Sequence, residues 1–307
     1  MPGTAPARSA GGIHWDTPFF SELFQGRNGW SIRDYWLRAT FGLMDLQFQL
    51  AGRWWILERD QTALRNDRDG VIAACRAATE ENGQSLAGFD RVVCFVHPPP
   101  CNAGVIGSPG DVVLDQAGNL EMFQHEVGHL LGFEHAWGRS GVYDDPYCVM
   151  GGGGTYAHDI PRPPEFSGVV TLAQDFWRSA RRVAAASLYH LFVRGLGDLT
   201  AKGAAGSFEH RVVRTRFGRV AEVAALSQAW DKPVIAVAPI PSGGVLTVEY
   251  RTAAGDDVGV DPAVVVHTLG SRSIGPGHHE VGPPATPLLS SRSVAWSTPA
   301  RALCLRS

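Results

Sequence analysis

Lysine is nearly absent from the 307-residue sequence, which contains only Lys202 and Lys232. Neither belongs to a glycine-rich phosphate-binding loop, because Lys202 is followed by glycine and Lys232 by proline. This excludes a P-loop nucleotide-binding protein. The 27 basic and 30 acidic residues leave a formal net charge of −3. A charge this small gives no reason to expect nucleic acid or an anionic membrane as a partner.

Long apolar runs are missing as well. No stretch of about twenty apolar residues occurs, so no segment is predicted to span a membrane. The start of the chain is rich in alanine, proline and glycine, and it lacks the apolar centre of a secretory signal. We expect residues 1–12 to form a flexible tail, and the sequence as it stands predicts a cytoplasmic location.

Cysteine is scarce and scattered. Its five positions show the spacing of neither a disulfide framework nor a cysteine-type zinc site, and they are Cys75, Cys94, Cys101, Cys148 and Cys304. Cys75 and Cys94 lie within apolar patterns and are predicted to be core residues. Cys101 and Cys148 would pair in an oxidising compartment or remain free thiols, and the sequence leaves both open.

What the sequence does contain is the pattern HExxHxxGxxH, which starts at His125. His125 and His129 lie four residues apart and therefore project from the same side of a helix, where their imidazoles can share one metal ion. Asn119 is the predicted N-cap of this helix. Gly132 can leave the helix in a left-handed conformation, and His135 then returns to the metal as the third ligand.

Three imidazoles leave the fourth position of a tetrahedral Zn²⁺ open, which is the arrangement of a catalytic zinc site. Glu126 follows the first ligand and is placed to take a proton from a zinc-bound water as general base. A lone HExxH occurs by chance on ordinary helices, but here the longer motif coincides with a Met-Gly pair downstream. The sequence therefore predicts one catalytic zinc ion, bound by His125, His129 and His135.

The long motif and the downstream Cys148-Val149-Met150-Gly151 resemble the metzincin zinc proteases, in which a Met-turn lies beneath the metal. Flanking phrases extend the resemblance to the gametolysin-like and immune-inhibitor-A-like peptidases, at residues 31–35, 89–93, 143–146 and 248–251. The resemblance implies that Met150 is an apolar floor under the histidines and not a ligand. It also implies an extracellular location if the start is truncated or processed, because those families are typically secreted.

Two further candidate sites follow from the sequence, one at Tyr156 and one at Asp144 and Asp145. Some metzincins hold the oxyanion with a tyrosine two residues after the methionine, but Gly152 stands there in this chain, so Tyr156 is only a weak candidate for that role. Asp144 and Asp145 could bind a second cation such as calcium. Two adjacent acids in a loop are more simply explained by solvation, however, and nothing else in the sequence supports calcium.

The order of the predicted elements fits a metzincin upper lobe. Helices are predicted over residues 16–41, 67–82 and 171–195, and strands over 44–50, 53–57 and 91–96. The segment 101–109 is predicted either as an edge strand that pairs with bound peptide or as a glycine-rich loop. Turn residues separate the later strands, predicted at 211–215, 234–237, 245–251, 264–268 and 294–296.

We therefore predict an α/β (α+β) metzincin-like zincin catalytic domain over residues 13–195 and a β-sandwich-like C-terminal domain over 196–307. The predicted function is a zinc-dependent endopeptidase that acts on a protein or peptide substrate. Two alternatives remain open, a zinc-containing binding module without catalysis and an intracellular processing peptidase with one dedicated substrate. Cleavage specificity and oligomeric state are not predicted.

Overall fold

The structure is a computed structural model, and it describes residues 17–51, 54–55, 57, 63–64, 67–96, 104–106, 110–115, 117–138, 141–167, 176–193, 208–227, 231–241, 243–273, 279–282 and 303–304. The predicted tail 1–12, the predicted strand 294–296 and Cys101 lie outside the described residues.

Most described helices lie in the first half of the chain, and most described strands lie after residue 130. The helices are α1 Thr17–Gln25, α2 Ile32–Ala39, α3 Arg68–Glu81, α4 Leu120–Leu130 and α5 Ala185–Phe192. The strands are β1 Val93–Val96, β2 Gly104–Ile106, β3 Asp111–Asp115, β4 Trp137–Gly138, β5 Gly141–Val142, β6 His158–Asp159, β7 Arg178–Ser179, β8 Val212–Arg214, β9 Val220–Ala221, β10 Ile235–Pro239, β11 Val245–Arg251, β12 Ala263–Ser273, β13 His279–Gly282 and β14 Leu303–Cys304. Within these ranges, no helix is long and apolar enough to cross a membrane.

Helix α3 shows how local signals set the element boundaries. The carboxylate of Asp67 accepts a hydrogen bond from the Gly70 N–H at 2.8 Å, which caps the first turn. Asn82 follows the last turn, and Gly83 takes φ +80° to end the helix. The helix predicted over 67–82 is confirmed. In the same way, the Ser31 hydroxyl accepts from the Asp34 N–H at 3.0 Å at the start of α2.

The described residues form two compact units, and the first draws on residues 1–38, 44–131 and 159–179. Its sheet has the order β1-β3-β2, with β1 parallel and β2 antiparallel to β3. Helices α3 and α4 pack against this sheet. Among the described strands, β2 therefore lies at the edge of this sheet. The strand predicted within 101–109 is confirmed over residues 104–106, and its pairing with a bound peptide stays a prediction.

The second unit draws on residues 39–43, 132–158 and 180–307. Its main sheet has the order β13-β12-β11-β10-β8, with β8 parallel to β10 and the other neighbours antiparallel. Helix α5 packs on β11 and β12. Ala236, Leu246 and Val248 lie in an apolar cluster of this unit. The predicted domains 13–195 and 196–307, and the β-sandwich, stay predictions.

The helix predicted over 171–195 is wrong for most of its described length. Residues 178–179 form β7, and helix α5 spans only Ala185–Phe192. The backbone N–H of Arg182 donates instead to the Asp257 carboxylate at 3.0 Å, and that of Ala185 donates to the Glu249 carboxylate. Tertiary partners have taken hydrogen bonds that a continuous helix would have needed.

The strand predicted over 44–50 is also wrong, because these residues form no strand, whereas the strand predicted over 53–57 lies partly outside the described residues. Side chains hold the segment instead. The Gln25 amide donates to the Phe48 carbonyl oxygen at 2.7 Å, and the Asp45 carboxylate accepts from the Arg33 guanidinium at 2.6 Å. Of these two contacts, the bond to the Phe48 carbonyl oxygen satisfies a main-chain group that a strand would have paired in its ladder.

A disulfide joins Cys75 on α3 to Cys94 on β1, with Cα atoms 6.3 Å apart. The prediction that both are core residues holds, since Cys94 is buried and Cys75 packs against the same apolar cluster. The prediction that the cysteines form no disulfide framework is wrong for this pair. The physical reason is tertiary: helix α3 packs on β1 and brings the two residues together.

Candidate metal centre

Helix α4 carries the first two predicted metal ligands. The Asn119 side chain accepts from the Met122 N–H at 2.9 Å, as predicted for the N-cap. Leu120, Phe123 and Val127 are fully buried and anchor the helix. Gly132 has φ +90°, so the chain leaves the helix in the left-handed conformation that the sequence predicts.

The three predicted ligands come together. One ring nitrogen from each of His125, His129 and His135 lies within 4.8 Å of the others. His129 is buried, and the other two are partly exposed. Across the described ranges, this is the only group of three or more metal-ligating side chains that meets this criterion. Three imidazole nitrogens are a donor set that Zn²⁺ binds, so these residues fit a zinc ion.

Glu126, the predicted general base, lies on the same helix and is only 8% exposed. Burial raises the pKa of its carboxyl group to about 7, although the positive charge of Arg68 acts in the opposite direction. A cation held by the neighbouring histidines would favour the carboxylate and lower this pKa again. The Glu126 carboxyl group is therefore shielded from bulk water, and its pKa would be lower with a metal ion bound than without one.

The segment after His135 is fixed by three main-chain hydrogen bonds. The Ala136 N–H donates to the Met150 carbonyl oxygen at 2.8 Å, and the Tyr143 N–H donates to the Ala136 carbonyl oxygen at 3.0 Å. The Gly152 N–H donates to the Tyr143 carbonyl oxygen at 2.5 Å. These bonds tie the neighbour of the third ligand to the segment that contains Met150.

Met150 is fully buried and lies in a turn, where the Gly151 N–H donates to the Cys148 carbonyl oxygen at 2.9 Å. The turn depends on glycine. A Cβ atom at position 151 would collide with the Asp145 carbonyl oxygen, and one at position 152 would lie 2.6 Å from the Tyr143 carbonyl oxygen. The predicted role of Met150 as the floor of a Met-turn stays a prediction.

Cys148 is a free, fully buried thiol and is not paired with another cysteine. Its sulfur accepts a hydrogen bond from the Ala184 N–H at 3.3 Å. Burial raises the pKa of the thiol to about 11. Of the two alternatives left open by the sequence, the free thiol is the one found here.

Tyr156, the candidate for oxyanion stabilisation, is half-buried. Its ring lies against that of Tyr147 with centroids 5.2 Å apart, and its hydroxyl is 3.5 Å from an oxygen of Asp261. These contacts belong to the second unit. The oxyanion role stays a prediction.

The simple solvation expected for Asp144 and Asp145 is wrong for Asp145, which is only 5% exposed. Its carboxylate lies 3.0 Å from Nε2 of His267 on β12 and also accepts from the Tyr147 N–H at 2.9 Å. Asp144 is exposed. Because Asp145 already has a buried partner, it does not support the calcium site considered from the sequence.

Asp145 and His267 each favour the charged form of the other. Burial lowers the pKa of His267, but the nearby carboxylates, first that of Asp145, raise it, and the net pKa is raised. Burial raises the pKa of Asp145, but His267, the Tyr147 N–H and Arg251 together lower it, and the net pKa is lowered. Glu249 also raises the pKa of His267, whereas Arg251 lowers it. No sequence signal indicated this pair, because His267 lies 122 residues after Asp145.

Strand β11 contributes a second buried charge group that the sequence did not reveal. Arg251 is fully buried and pairs with Glu249 at 3.0 Å and with Asp257 at 2.6 Å. It also donates to the Arg182 carbonyl oxygen at 3.3 Å. The sequence predicted residues 245–251 as a strand and residues 248–251 as part of the family resemblance, but neither prediction included this charge group. The available signal is that Glu249 and Arg251 lie two residues apart on one face of the strand, since buried charges require partners.

The ion pair of Asp145 and His267 predicts that the free energy of unfolding depends on pH. We expect the free energy of unfolding to decrease as the pH rises above about 6.5, the ordinary pKa of histidine, and through the raised folded pKa of His267. Asp145 contributes above its own ordinary pKa of about 3.9, so the pair contributes fully between these two values. One proton accounts for at most about 1.4 kcal/mol per pH unit. Urea unfolding between about pH 5 and about pH 9 measures the slope.

The matched comparison is a double variant, Asp145→Asn with His267→Gln, which keeps polar groups but cannot form an ion pair. It should lose the decrease above neutral pH that the wild type shows. His210→Gln changes an exposed histidine and should keep that decrease. Equal slopes in the wild type and the double variant would contradict the assignment of a charged pair.

Comparisons with known proteins add no relative, since no protein family, no curated protein and no solved structure matches the chain. The resemblance to metzincins therefore depends on the motif residues alone.

Proposed function

We propose that the chain is a zinc-dependent endopeptidase that hydrolyses peptide bonds in proteins or peptides. The observation that carries this proposal is the convergence of ring nitrogens from His125, His129 and His135 within 4.8 Å of one another. The buried carboxyl group of Glu126 lies on the same helix as two of them. Three imidazoles with a neighbouring carboxylate are the groups that metal-assisted hydrolysis requires.

The three histidines would hold the ion, and Glu126 would handle the proton. When bound, Zn²⁺ supplies Lewis acidity, which makes water a nucleophile near neutral pH and polarises the carbonyl of a peptide bond. A carboxylate oxygen of Glu126 accepts the proton of the attacking water and passes it to the nitrogen of the leaving amine. The burial of Glu126 limits competition from bulk water for this proton.

The edge of the three-stranded sheet supports a peptide as substrate. Among the strands that the structure describes, β2 pairs only with β3, because it is the last strand in the order β1-β3-β2. An edge strand can pair its free main-chain groups with an extended peptide, which binds a substrate without regard to most side chains. This mode suits an endopeptidase better than an enzyme for a small, compact substrate.

A peptide library read by mass spectrometry tests the proposal. Purified protein loaded with Zn²⁺ should contain one zinc ion per chain and cleave internal peptide bonds. Removal of the metal with a chelator should abolish cleavage, and Zn²⁺ should restore it. Mg²⁺ serves as the matched control and should not restore cleavage, because it prefers oxygen ligands.

The possible failures have different meanings. Protein that binds no zinc would contradict the metal centre itself. Protein that binds one zinc ion but cleaves no peptide would contradict a general endopeptidase. A zinc-containing binding module or a peptidase with one dedicated substrate would then be the remaining alternatives.

A further inference from the structure

Tyr143 has an unusual backbone conformation. Its φ is +68°, and among the described residues other than glycine only Phe41 shares a positive φ. The left-handed conformation is unfavourable for a residue with a Cβ atom. Phe41 is buried in the core, whereas Tyr143 is 46% exposed. Packing of a core side chain therefore does not explain the conformation of Tyr143.

The main chain holds Tyr143 in this conformation from both sides. Its N–H donates to the carbonyl oxygen of Ala136, the residue after His135, and its carbonyl oxygen accepts from the N–H of Gly152. These bonds fix the backbone without using the side chain.

The Tyr143 side chain lies against the third histidine of the metal centre. The rings of Tyr143 and His135 have centroids 4.1 Å apart and are tilted by 52°. His125 and His129 are oriented by helix α4, but His135 follows the helix in a segment without regular secondary structure. Its ring consequently depends more on side-chain contacts for its orientation.

We propose that Tyr143 is a positioning residue, whose aromatic ring fixes the orientation of the His135 imidazole for metal binding. This inference rests on the metal centre of the proposed function. The ring is the part that acts, since it makes the contact with His135. The left-handed backbone is the local cost of placing that ring over the imidazole. Outer residues that orient metal ligands typically contribute a factor of about 10–100 in metal affinity.

Three variants separate the ring from the backbone. Tyr143→Phe keeps the ring, and Tyr143→Leu keeps a Cβ atom and an apolar side chain without a ring. Tyr143→Gly removes the ring and also relieves the left-handed strain, because glycine adopts positive φ readily. If Tyr143 only maintained the backbone of this segment, Tyr143→Gly would lower the Zn²⁺ affinity least of the three variants.

The measurements are the Zn²⁺ dissociation constant, obtained by chelator competition, and the visible spectrum of the Co²⁺-substituted protein. We expect Tyr143→Phe to bind Zn²⁺ as the wild type does. Tyr143→Gly and Tyr143→Leu should bind it about 10–100-fold more weakly and should have altered Co²⁺ spectra. The metal-free Tyr143→Gly protein should unfold at a temperature no lower than the metal-free wild type.

Equal Zn²⁺ affinity in Tyr143→Leu and the wild type would overturn the proposal. So would a Tyr143→Phe variant as weak as Tyr143→Leu, because the hydroxyl and not the ring would then matter. These results do not depend on peptide cleavage. A wild type that binds Zn²⁺ but cleaves no peptide contradicts the endopeptidase and leaves the role of Tyr143 testable.

Discussion

Glu126→Gln is expected to lower kcat for peptide hydrolysis by a factor of about 10²–10⁴, the usual contribution of a general base, while the zinc content stays at one ion per chain. Glutamine has nearly the size of glutamate and can occupy the same position, which is only 8% exposed. Its amide cannot accept the proton of the attacking water. The metal ligands are unchanged, so metal binding and hydrolysis should separate.

The measurement is kcat on a peptide selected from the library, together with the zinc content of each protein. Glu80→Gln is the matched control, since it makes the same chemical change at an exposed position on helix α3, and its kcat should equal that of the wild type. A Glu126→Gln protein that retains both its zinc and its full kcat would show that another group moves the proton.

Arg251→Met is expected to produce the largest loss of stability, about 3–5 kcal/mol in the free energy of unfolding. The substitution preserves much of the side-chain volume but removes the charge. Glu249 and Asp257 would then be left as neighbouring carboxylates in a buried site, where they are 1% and 0% exposed. Two unpaired charges of the same sign are far more costly there than at the surface.

Urea unfolding of metal-free protein measures this loss. Arg214→Met is the matched control, because Arg214 pairs with Glu209 but its side chain is 59% exposed, and an exposed pair contributes about 0–1 kcal/mol. Adding Glu249→Gln and Asp257→Asn to Arg251→Met should recover part of the loss. A loss below about 1 kcal/mol for Arg251→Met alone would contradict a dependence of the buried carboxylates on this arginine.

Local signals in the sequence predicted the elements that carry the first two histidines. The cap at Asn119, the four-residue spacing of His125 and His129 and the exit at Gly132 all act within a few residues of one another. The same holds for α3, with Asp67 at its start. Strand β11 also occurs over the predicted residues 245–251. Such features are predictable because short-range hydrogen bonds and side-chain periodicity determine them.

Hydrogen bonds to residues far along the chain explain why the helix predicted over 171–195 is wrong for most of its described length. The stripe of Phe176, Ala180 and Ala184 matches a helical period, yet the N–H groups of Arg182 and Ala185 bond to carboxylates far along the chain. Phe176, Ala180 and Ala184 are buried by tertiary packing, and their spacing happens to match that of an amphipathic helix. No local rule distinguishes these two causes.

The charged groups of the second unit were missed for a related reason. His267 and Asp145 are 122 residues apart in the sequence. No motif in the sequence around either residue predicts that they form a pair. The disulfide between Cys75 and Cys94 likewise depends on the packing of α3 against β1. Which distant residues contact each other depends on the fold, and a single sequence does not reveal it.

The main-chain hydrogen bonds around Met150 determine at which positions of this loop a residue can be substituted without changing the shape of the loop. The bonds that link Ala136 to Met150 and to Tyr143 use only peptide groups, so substitutions that preserve the backbone leave them intact. Gly151 and Gly152 are different, because a Cβ atom at either position would meet a main-chain carbonyl oxygen, of Asp145 or of Tyr143. Related sequences can therefore differ at most positions of this loop and still share its shape, and we expect the two glycines after the methionine to vary least.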